Sequence, residues 1–275
     1  MNGTGKTADL HVHTHFSDGT FSPREVVEHA ASVGLSAVAI CDHDILDGIP
    51  GAIEAAASRG VEIVPGVELT AEKSGIEIHM LGFFVDWTDN RFKERLRSIC
   101  DHRITRISEM AGKLNKLGFD ITAQEVIEFG GPGSVGRLHL ARVLHKKKYV
   151  ATVDEAFRKY IGHGKSCYVT KINLSPEEAI GMILKAKGVP VLAHPGIIRH
   201  DEFIPSYIEA GLRGIEVYHT DHPDARVRHY EALARVNNLL MTGGSDCHGL
   251  GKGRVLMGSV RVPYEFVEAL QHERG

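Results

Sequence analysis

The stretch Asp9-Leu10-His11-Val12-His13-Thr14-His15-Phe16-Ser17-Asp18 lies near the start of the chain and decides how the rest is interpreted. His11 and His13 lie two residues apart in a short apolar run. In a β-strand, side chains two residues apart project from the same face, so both imidazoles would point to one side. Imidazole binds zinc, manganese and iron well. The stretch therefore predicts an opening strand that presents two metal ligands.

The overall composition of the 275 residues, with a net charge of -3, is typical of a soluble globular protein. Histidine is the exception, with 17 residues against 7 tyrosines and one tryptophan. The four cysteines are scattered and form no Cys-x-x-Cys pair, which favours reduced thiols. No apolar run has membrane-spanning length, and the first residues do not resemble a signal peptide. We expect a cytoplasmic protein that does not bind membranes.

Short apolar runs alternate with helix signals along most of the chain. Ser22 and Ser175 each precede a proline and stand three residues before a glutamate, which is the pattern of a capped helix start. Apolar runs of this length are typical of buried parallel strands. Besides the opening run, strands are predicted near residues 37–41, 61–67, 76–84, 189–193, 214–218 and 239–242. We expect an α/β fold, a distorted (β/α)7 barrel whose site lies at the strand C-termini.

Residues 86–165 differ from the rest of the chain in charge and pattern. They contain 16 Lys+Arg against 10 Asp+Glu, a net charge of +6, whereas the remainder has a net charge of -9. Apolar residues from Phe92 to Leu117 repeat at helical spacing, and further helices are predicted near 122–129, 135–147 and 153–160. We therefore expect a barrel built from residues 1–85 and 166–275. Residues 86–165 would be a helical, basic insertion that contributes to substrate binding.

Histidines and carboxylates recur at or near the predicted strand ends. The set comprises His11, His13, Asp18, Asp42, His43, Glu68, His79, His194, Asp246 and His248. Any one of them could be an ordinary buried polar residue or a helix cap. Gathered at one rim, however, the carboxylates would repel each other unless cations neutralised them. The set as a whole therefore predicts a metal centre.

These motifs resemble those of the PHP (polymerase and histidinol phosphatase) family of metal-dependent phosphoesterases. The similar stretches are 9–19, 42–44, 65–68, 194–196 and 244–248. The resemblance implies two or three divalent ions, manganese first and iron or zinc as alternatives. It also implies three ligand groups: His11, His13, Glu68 and Asp246; Glu68, His79 and His194; and Asp18, His43 and His248. Asp42 and Asp44 would orient His43 from behind.

The Ser17-Asp18-Gly19 form of the first motif resembles a branch of this family that dephosphorylates 3′,5′-nucleotide bisphosphates and can trim RNA from the 5′ end. Residues 134–142 resemble the Arg-x-His-x-Ala-Arg helix of that branch, and residues 157–169 resemble its substrate-binding loop. An arginine and a lysine near a helix N-terminus suit a second phosphate. The resemblance implies substrate contacts by Ser134, Arg137, His139, Lys165 and Tyr168.

The expected activity is hydrolysis of a phosphate monoester, namely the 3′-phosphate of a 3′,5′-nucleotide bisphosphate, together with trimming of short RNA from the 5′ end. Metal-bound hydroxide would attack the phosphorus in line. The leaving oxygen would take a proton from a metal-bound water, or from His219 or His222 as general acid. The expected partner is a small phosphorylated substrate, a nucleotide or the 5′ end of a short RNA, and not a DNA duplex.

Three alternatives stay open. A histidinol phosphate phosphatase could use the same barrel, but it needs no second phosphate site, so the basic insertion argues against it. A non-catalytic regulatory domain that binds metal or nucleotide is the second alternative, and the complete set of ligands argues against it. A hydrolytic amidase on a related barrel is the third.

Overall fold

The computed structural model describes residues 5–131, 133–170 and 174–274, and eight strands form one sheet within these ranges. They are β1 (Thr7–Val12), β2 (Ala37–Ile40), β3 (Glu62–Lys73), β4 (Ile76–Phe83), β5 (Val189–Leu192), β6 (Gly214–His219), β7 (Leu240–Gly244) and β8 (Val262–Pro263). The order across the sheet is β7-β6-β5-β4-β3-β2-β1-β8. Just beyond β7, the carbonyl of Cys247 accepts the backbone N–H of His13 at 3.0 Å, so the sheet nearly closes into a barrel.

Helices follow most of the strands and fill the insertion. They are α1 (Pro23–Ser32), α2 (Gly48–Ala56), α3 (Asn90–Lys116), α4 (Ala123–Gly130), α5 (Arg137–Lys146), α6 (Val153–Ala156), α7 (Pro176–Lys185), α8 (Pro195–Ile198), α9 (Ile204–Glu209), α10 (Asp224–Val236) and α11 (Glu265–Glu273). A π-helical turn, Phe157–Ile161, continues α6, and 3-10 turns occupy Asp201–Phe203 and Gly249–Lys252. Within the described ranges, no helix has the length and apolar character needed to cross a bilayer.

The two capped helix starts predicted from the sequence are confirmed. The Ser22 hydroxyl accepts the backbone N–H of Glu25 at 3.2 Å, while the Glu25 carboxylate accepts the N–H of Ser22 at 2.7 Å. Ser175 and Glu178 make the same reciprocal pair at the start of α7. Each pair satisfies backbone N–H groups that the helix itself leaves unpaired.

One extra residue in β1 decides which way the first histidines face. Asp9 pairs with Val38 and Val12 pairs with Ile40, so three steps along β1 match two steps along β2. Val12 and Ile40 pack in the core cluster shared with α1 and α2. Without this bulge, His11 would lie on the same face as Val38 and point toward those helices. The bulge instead turns His11 to the side of the sheet opposite Val12.

The α/β barrel class is confirmed, with one change in direction that the sequence did not predict. β4 runs antiparallel to both of its neighbours, β3 and β5. Only Ser74 and Gly75, both with positive φ, connect β3 to β4, so the two strands follow each other without a helix between them. The short β8 adds an eighth strand antiparallel to β1. In this hairpin Glu68 lies in the middle of β3, not at its end.

The insertion is helical, as predicted, and its helices pack around an apolar cluster of their own. Ile107, Met110 and Leu114 from the second half of α3 pack there with residues of α4 and α5. The first half of α3 instead belongs to the barrel core through residues such as Phe92 and Leu96. A single long helix therefore joins the barrel core to the apolar cluster of the insertion. The exact domain boundaries stay a prediction.

Candidate metal centre

Glu68 is the carboxylate around which the buried histidines gather. Its Oε2 atom lies 3.2 Å from Nε2 of His11, 3.2 Å from Nε2 of His13 and 3.3 Å from Nδ1 of His43. The side chain is only 1% exposed. Because β1, β2 and β3 are adjacent in the sheet, residues that are far apart in sequence reach one oxygen atom.

The second oxygen of Glu68 faces two further imidazoles. Its Oε1 lies 2.7 Å from Nδ1 of His79 and 3.1 Å from Nε2 of His194. His79 is in β4, and His194 follows β5 and adopts φ 28 and ψ 56, outside the common regions for a side-chain-bearing residue. One carboxylate thus contacts five imidazoles through its two oxygens, and its role as a ligand shared by two ions stays a prediction.

Asp18 and Asp246 supply the other two carboxylates of the cluster. Oδ1 of Asp246 lies 3.0 Å from Nε2 of His13, and Nδ1 of His248 lies 3.6 Å from the same oxygen. Oδ1 of Asp18 lies 3.1 Å from Nε2 of His248, and its Oδ2 lies 3.8 Å from Nε2 of His43. His43 therefore presents one ring nitrogen to Asp18 and the other to Glu68.

Three groups of side chains place ligand atoms within 4.8 Å of one another, close enough to hold a metal ion. They are His11, His13, Glu68 and Asp246; His13, Asp18, His43 and His248; and His43, Glu68 and His79. The first contains the four residues predicted together. The second adds His13 to a predicted group. The third contains His43 where the prediction has His194, which lies against the same oxygen of Glu68 as His79 does.

The chemistry of these donors fits divalent ions. Nε2 of His11, Nε2 of His13 and Oδ1 of Asp18 are buried, and although each lies close to an oppositely charged group, none of these contacts with the described residues has the geometry of a hydrogen bond. Buried polar atoms normally find a hydrogen-bond partner, so unsatisfied ones within these ligand groups are consistent with a bound cation. Mixed imidazole and carboxylate donors suit manganese, iron and zinc.

The charges of the cluster shift the pKa values of its members in opposite directions. Burial alone would raise the pKa of Glu68, but the imidazoles, led by His43 and His79, hold it well below its usual range. Burial opposes protonation of His13, yet Asp246 and Glu68 raise its pKa to about 10. Glu68 likewise raises the pKa of His79 to about 9 against the effect of burial. The buried carboxylates thus favour the protonated form of these two imidazoles.

Glu216, in β6, is a buried residue of the site that the sequence-based set lacks. Its Oε1 lies 3.0 Å from Nδ1 of His11, and its Oε2 accepts the backbone N–H of His194 at 2.8 Å. A carboxylate on one ring nitrogen fixes the tautomer and orientation of a metal-binding imidazole. Nε2 of His11 is thereby directed toward Glu68. The only signal in the sequence is a single carboxylate within an otherwise uncharged strand.

A cleft lined with arginines opens beside the cluster. Asp18, His43 and His79 line it together with Arg103, Arg106, Arg137 and residues of the insertion. Nη2 of Arg137 donates to Oε1 of Glu77 at 2.7 Å, and Nη1 of Arg106 lies 3.5 Å from Oε2 of the same residue. The insertion therefore brings cations within the same cleft as the predicted metal ligands.

Residues 9–163 match the family model of the PHP domain. The chain belongs to the PHP family. Its relatives include the 3′,5′-nucleoside bisphosphate phosphatase of Chromobacterium violaceum, 32% identical over 253 residues that cover 89% of this chain and 88% of that protein. A phosphoribosyl 1,2-cyclic phosphate 1,2-diphosphodiesterase of Eggerthella lenta is 30% identical, and the match covers 93% of this chain and 98% of that protein. The 5′-3′ exoribonuclease Rnm of Salmonella typhimurium is 30% identical, and the match covers 87% of this chain and 84% of that protein.

A solved structure from Bifidobacterium adolescentis, assigned as a metal-dependent phosphoesterase, superposes with a TM-score of 0.88. It is 33% identical in sequence, and the match covers 98% of this chain and 96% of that one. These similarities confirm the family resemblance and the barrel fold. The protein is a metal-dependent phosphoesterase of the PHP family.

In this PHP protein Asp42 does not have the role predicted for it. It accepts hydrogen bonds from the backbone N–H of Thr14 at 2.7 Å, from the Thr14 hydroxyl at 2.7 Å and from the Ser17 hydroxyl at 2.6 Å. It therefore fixes the loop that carries Asp18. The prediction that Asp42 orients His43 is wrong.

The two histidines predicted as general acids differ in their contacts. Nδ1 of His219 accepts the backbone N–H of Asp221 at 3.1 Å, so the neutral ring carries its proton on Nε2, which lies 3.7 Å from Oδ2 of Asp246. Burial by itself would lower the pKa of His219, but Asp246 and Glu216 raise it above its usual value. His219 therefore keeps a proton on the nitrogen that faces the cluster.

His222 has no ring nitrogen left for proton transfer. Its Nε2 accepts the backbone N–H of Gly196 at 3.0 Å, and its Nδ1 donates to the carbonyl of Val217 at 2.8 Å. Burial lowers its pKa, in keeping with a neutral ring. The prediction of His222 as a general acid is therefore wrong. It ties β6 to the start of α8, beside His194.

His139 and Ser134 contribute to the structure of the insertion. Nδ1 of His139 accepts the backbone N–H of Gly136 at 3.1 Å and so caps α5, and burial lowers the pKa of this residue to about 4. The residue is only 2% exposed but lines a cavity together with His15 and Arg142, and its contact with substrate stays a prediction. Ser134 is buried and donates its backbone N–H to the carbonyl of Phe16 at 2.7 Å, and its predicted substrate contact stays a prediction.

Tyr168 and Lys165 occupy different positions. The ring of Tyr168 lies 5.3 Å from the guanidinium carbon of Arg106 and 5.6 Å from that of Arg137, so it supports both arginines. Lys165 is exposed, and it is not among the described residues that line the cleft. Its contact with a phosphate stays a prediction.

Arg103 and Arg106 are two cleft arginines that the sequence did not single out. Arg103 Nε donates to Asp44 at 2.6 Å and its Nη2 donates to Thr70 at 2.6 Å. Arg106 Nε donates to the carbonyl of Val169 at 2.8 Å. They lie three residues apart on α3, so they share one helix face, but only the packing of α3 against the barrel shows that this face meets the cluster.

Proposed function

We propose that this PHP phosphoesterase removes the 3′-phosphate of a 3′,5′-nucleotide bisphosphate. The observation that supports this proposal most is the cleft, in which Arg106 and Arg137 share one carboxylate, Glu77. Two guanidinium groups against one carboxylate leave an excess positive charge beside the predicted metal ligands. A substrate with two phosphates can place one at the metal ions and the other at the arginines.

The proposed cofactors are two or three divalent ions, with manganese first and iron or zinc as alternatives. The proposed ligands are His11, His13, Asp18, His43, Glu68, His79, His194, Asp246 and His248. When bound, such ions lower the pKa of a coordinated water and polarise the phosphoryl oxygens. Glu216 holds His11 in position and Asp42 holds the loop of Asp18, so the chain orients its ligands before the substrate arrives.

We further propose that His219 donates a proton to the leaving 3′-oxygen. Replacing it with Gln is expected to lower kcat on a nucleotide 3′-phosphate by about 10²- to 10⁴-fold, the usual contribution of a general acid. The loss on p-nitrophenyl phosphate should be far smaller, because p-nitrophenolate leaves without a proton. Comparing kcat on the two substrates tests this, and equal losses on both would contradict the role.

An assay with one substrate for each candidate activity decides between the proposed function and its alternatives. Metal-free protein, reloaded with manganese, iron or zinc, is given 3′-phosphoadenosine 5′-phosphate, histidinol phosphate, a phosphoribosyl 1,2-cyclic phosphate and a short 5′-phosphorylated RNA. We expect the bisphosphate to have the highest kcat/KM, with inorganic phosphate and adenosine 5′-phosphate as products. Release of 5′-mononucleotides from the RNA would support the proposed trimming activity.

Preference for histidinol phosphate or for the cyclic phosphate would replace the proposed substrate while leaving the phosphoesterase chemistry intact. Binding of metal without hydrolysis of any substrate would favour a regulatory domain. Activity that survives chelation would contradict the proposed metal mechanism.

A further inference from the structure

We propose that Glu77 couples metal binding at His79 to phosphate binding at Arg137, and thereby positions both residues. This inference rests on the proposed function, because it assigns an anion to the arginine cleft and an ion to the cluster. It concerns a carboxylate that belongs to none of the three candidate ligand groups.

Glu77 lies between the cluster and the arginines. It precedes His79 by two residues in β4, so the two side chains share one face of the strand. Its Oε1 lies 3.2 Å from Nε2 of His79 and 2.7 Å from Nη2 of Arg137, and its Oε2 lies 3.5 Å from Nη1 of Arg106. One oxygen therefore serves a predicted metal ligand and a predicted phosphate-binding residue at the same time.

Toward His79, the carboxylate fixes the ring. Nδ1 of His79 lies 2.7 Å from Oε1 of Glu68, and the other ring nitrogen, Nε2, contacts Glu77. A carboxylate on the outer nitrogen of a metal-binding imidazole orients the ring and increases its basicity. Glu77 thus favours binding of an ion next to Nδ1 of His79.

Toward Arg137, the same carboxylate occupies hydrogen-bonding capacity that a phosphate would use. A guanidinium group binds carboxylate and phosphate through the same donors, so the second phosphate must share or displace Glu77. When a phosphate takes over Arg137, the shared oxygen of Glu77 is left to His79. Conversely, an ion bound at His79 makes Nε2–H a stronger donor and draws Glu77 away from Arg137.

Because coupling between two binding sites is reciprocal, each ligand is expected to raise the affinity for the other. Direct attraction between cation and phosphate acts in the same direction, so the wild-type protein alone does not isolate the effect of Glu77. Separate variants of Glu77 and Arg137 do isolate the effect of Glu77, since the two substitutions should change the affinity for the metal ion differently.

The experiment measures the dissociation constant of Mn²⁺ from metal-free protein by titration calorimetry, with and without saturating adenosine 5′-phosphate. Glu77→Gln is expected to weaken Mn²⁺ binding about 10- to 100-fold, as for other supporting partners of metal ligands, and to reduce the effect of the nucleotide. Arg137→Ala is expected to leave Mn²⁺ affinity unchanged or stronger, because Glu77 then serves His79 alone, while the effect of the nucleotide is lost.

Glu62→Gln is the matched control, because Glu62 lies at the start of the neighbouring strand β3 and contacts Tyr264 away from the cluster, while the change removes the same charge. Its Mn²⁺ affinity should equal that of the wild type, and circular dichroism checks the fold of every variant. Wild-type Mn²⁺ affinity and an undiminished nucleotide effect in Glu77→Gln would overturn the proposal, as would equal weakening of Mn²⁺ binding in Arg137→Ala. These are binding measurements, so they are independent of whether the bisphosphate proves to be the substrate in the activity assay.

Discussion

Replacing Glu68 with Gln is expected to lower turnover at least about 10²-fold, the scale of a lost electrostatic contribution to catalysis. Glu68 contacts five imidazoles through its two oxygens, and an amide of the same size keeps the shape but loses the charge. The neutral side chain has one oxygen in place of two, so it cannot bridge two cations. Because the substitution is nearly isosteric, the fold should survive.

The measurements are kcat at saturating metal, metal content by elemental analysis, and thermal unfolding. Glu62→Gln is a suitable control, since Glu62 begins the same strand and contacts Tyr264, away from the cluster. The control should retain wild-type turnover. If Glu68→Gln keeps both its full metal content and near-wild-type turnover, Glu68 does not bridge metal ions.

Replacing Arg137 with Ala is expected to raise KM for a nucleotide bisphosphate roughly 10- to 150-fold, which corresponds to the loss of about 1.5–3 kcal/mol from a hydrogen bond to a charged group. The guanidinium lies in the cleft at the first residue of α5, where Tyr168 and Glu77 hold it. A substrate with one phosphate needs only the metal ions. Turnover of p-nitrophenyl phosphate should therefore change little.

The comparison of kcat/KM between the two substrates is the decisive measurement, because general damage to the site would lower both. Arg91→Ala is the matched control, since Arg91 is an exposed arginine of the same insertion, lies at the start of α3 and is not among the described residues that line the cleft. It should leave both substrates unaffected. Equal losses on the two substrates in Arg137→Ala would remove the second-phosphate site from the proposal.

The local elements of the fold were predictable because their signals lie within a few residues. The capped starts of α1 and α7 depend on serine and glutamate three positions apart. The helices of the insertion follow from apolar spacing, and the PHP motifs depend on short stretches of residue types. Each of these features is decided by near neighbours in the chain, and the structure confirms them.

Other features depended on contacts between distant parts of the chain. The antiparallel direction of β4 follows from a two-residue turn, which a strand-and-helix pattern does not reveal. His222 was misassigned because its backbone partners, Gly196 and Val217, are visible only after β6 and α8 come together. Glu216 and Glu77 are single carboxylates in strands, and nothing near them in sequence shows that they contact histidines and arginines.

The sequence by itself therefore determined the family, the barrel class and the set of histidines and carboxylates that form the candidate metal centre. Short-range patterns carry that information, because capping, strand alternation and motif spacing are local. Only the tertiary structure decided which face the first histidines take, through the bulge in β1, and which oxygen of Glu68 each imidazole reaches. Strand register and helix packing set those contacts, and both arise from pairing between residues far apart in the chain.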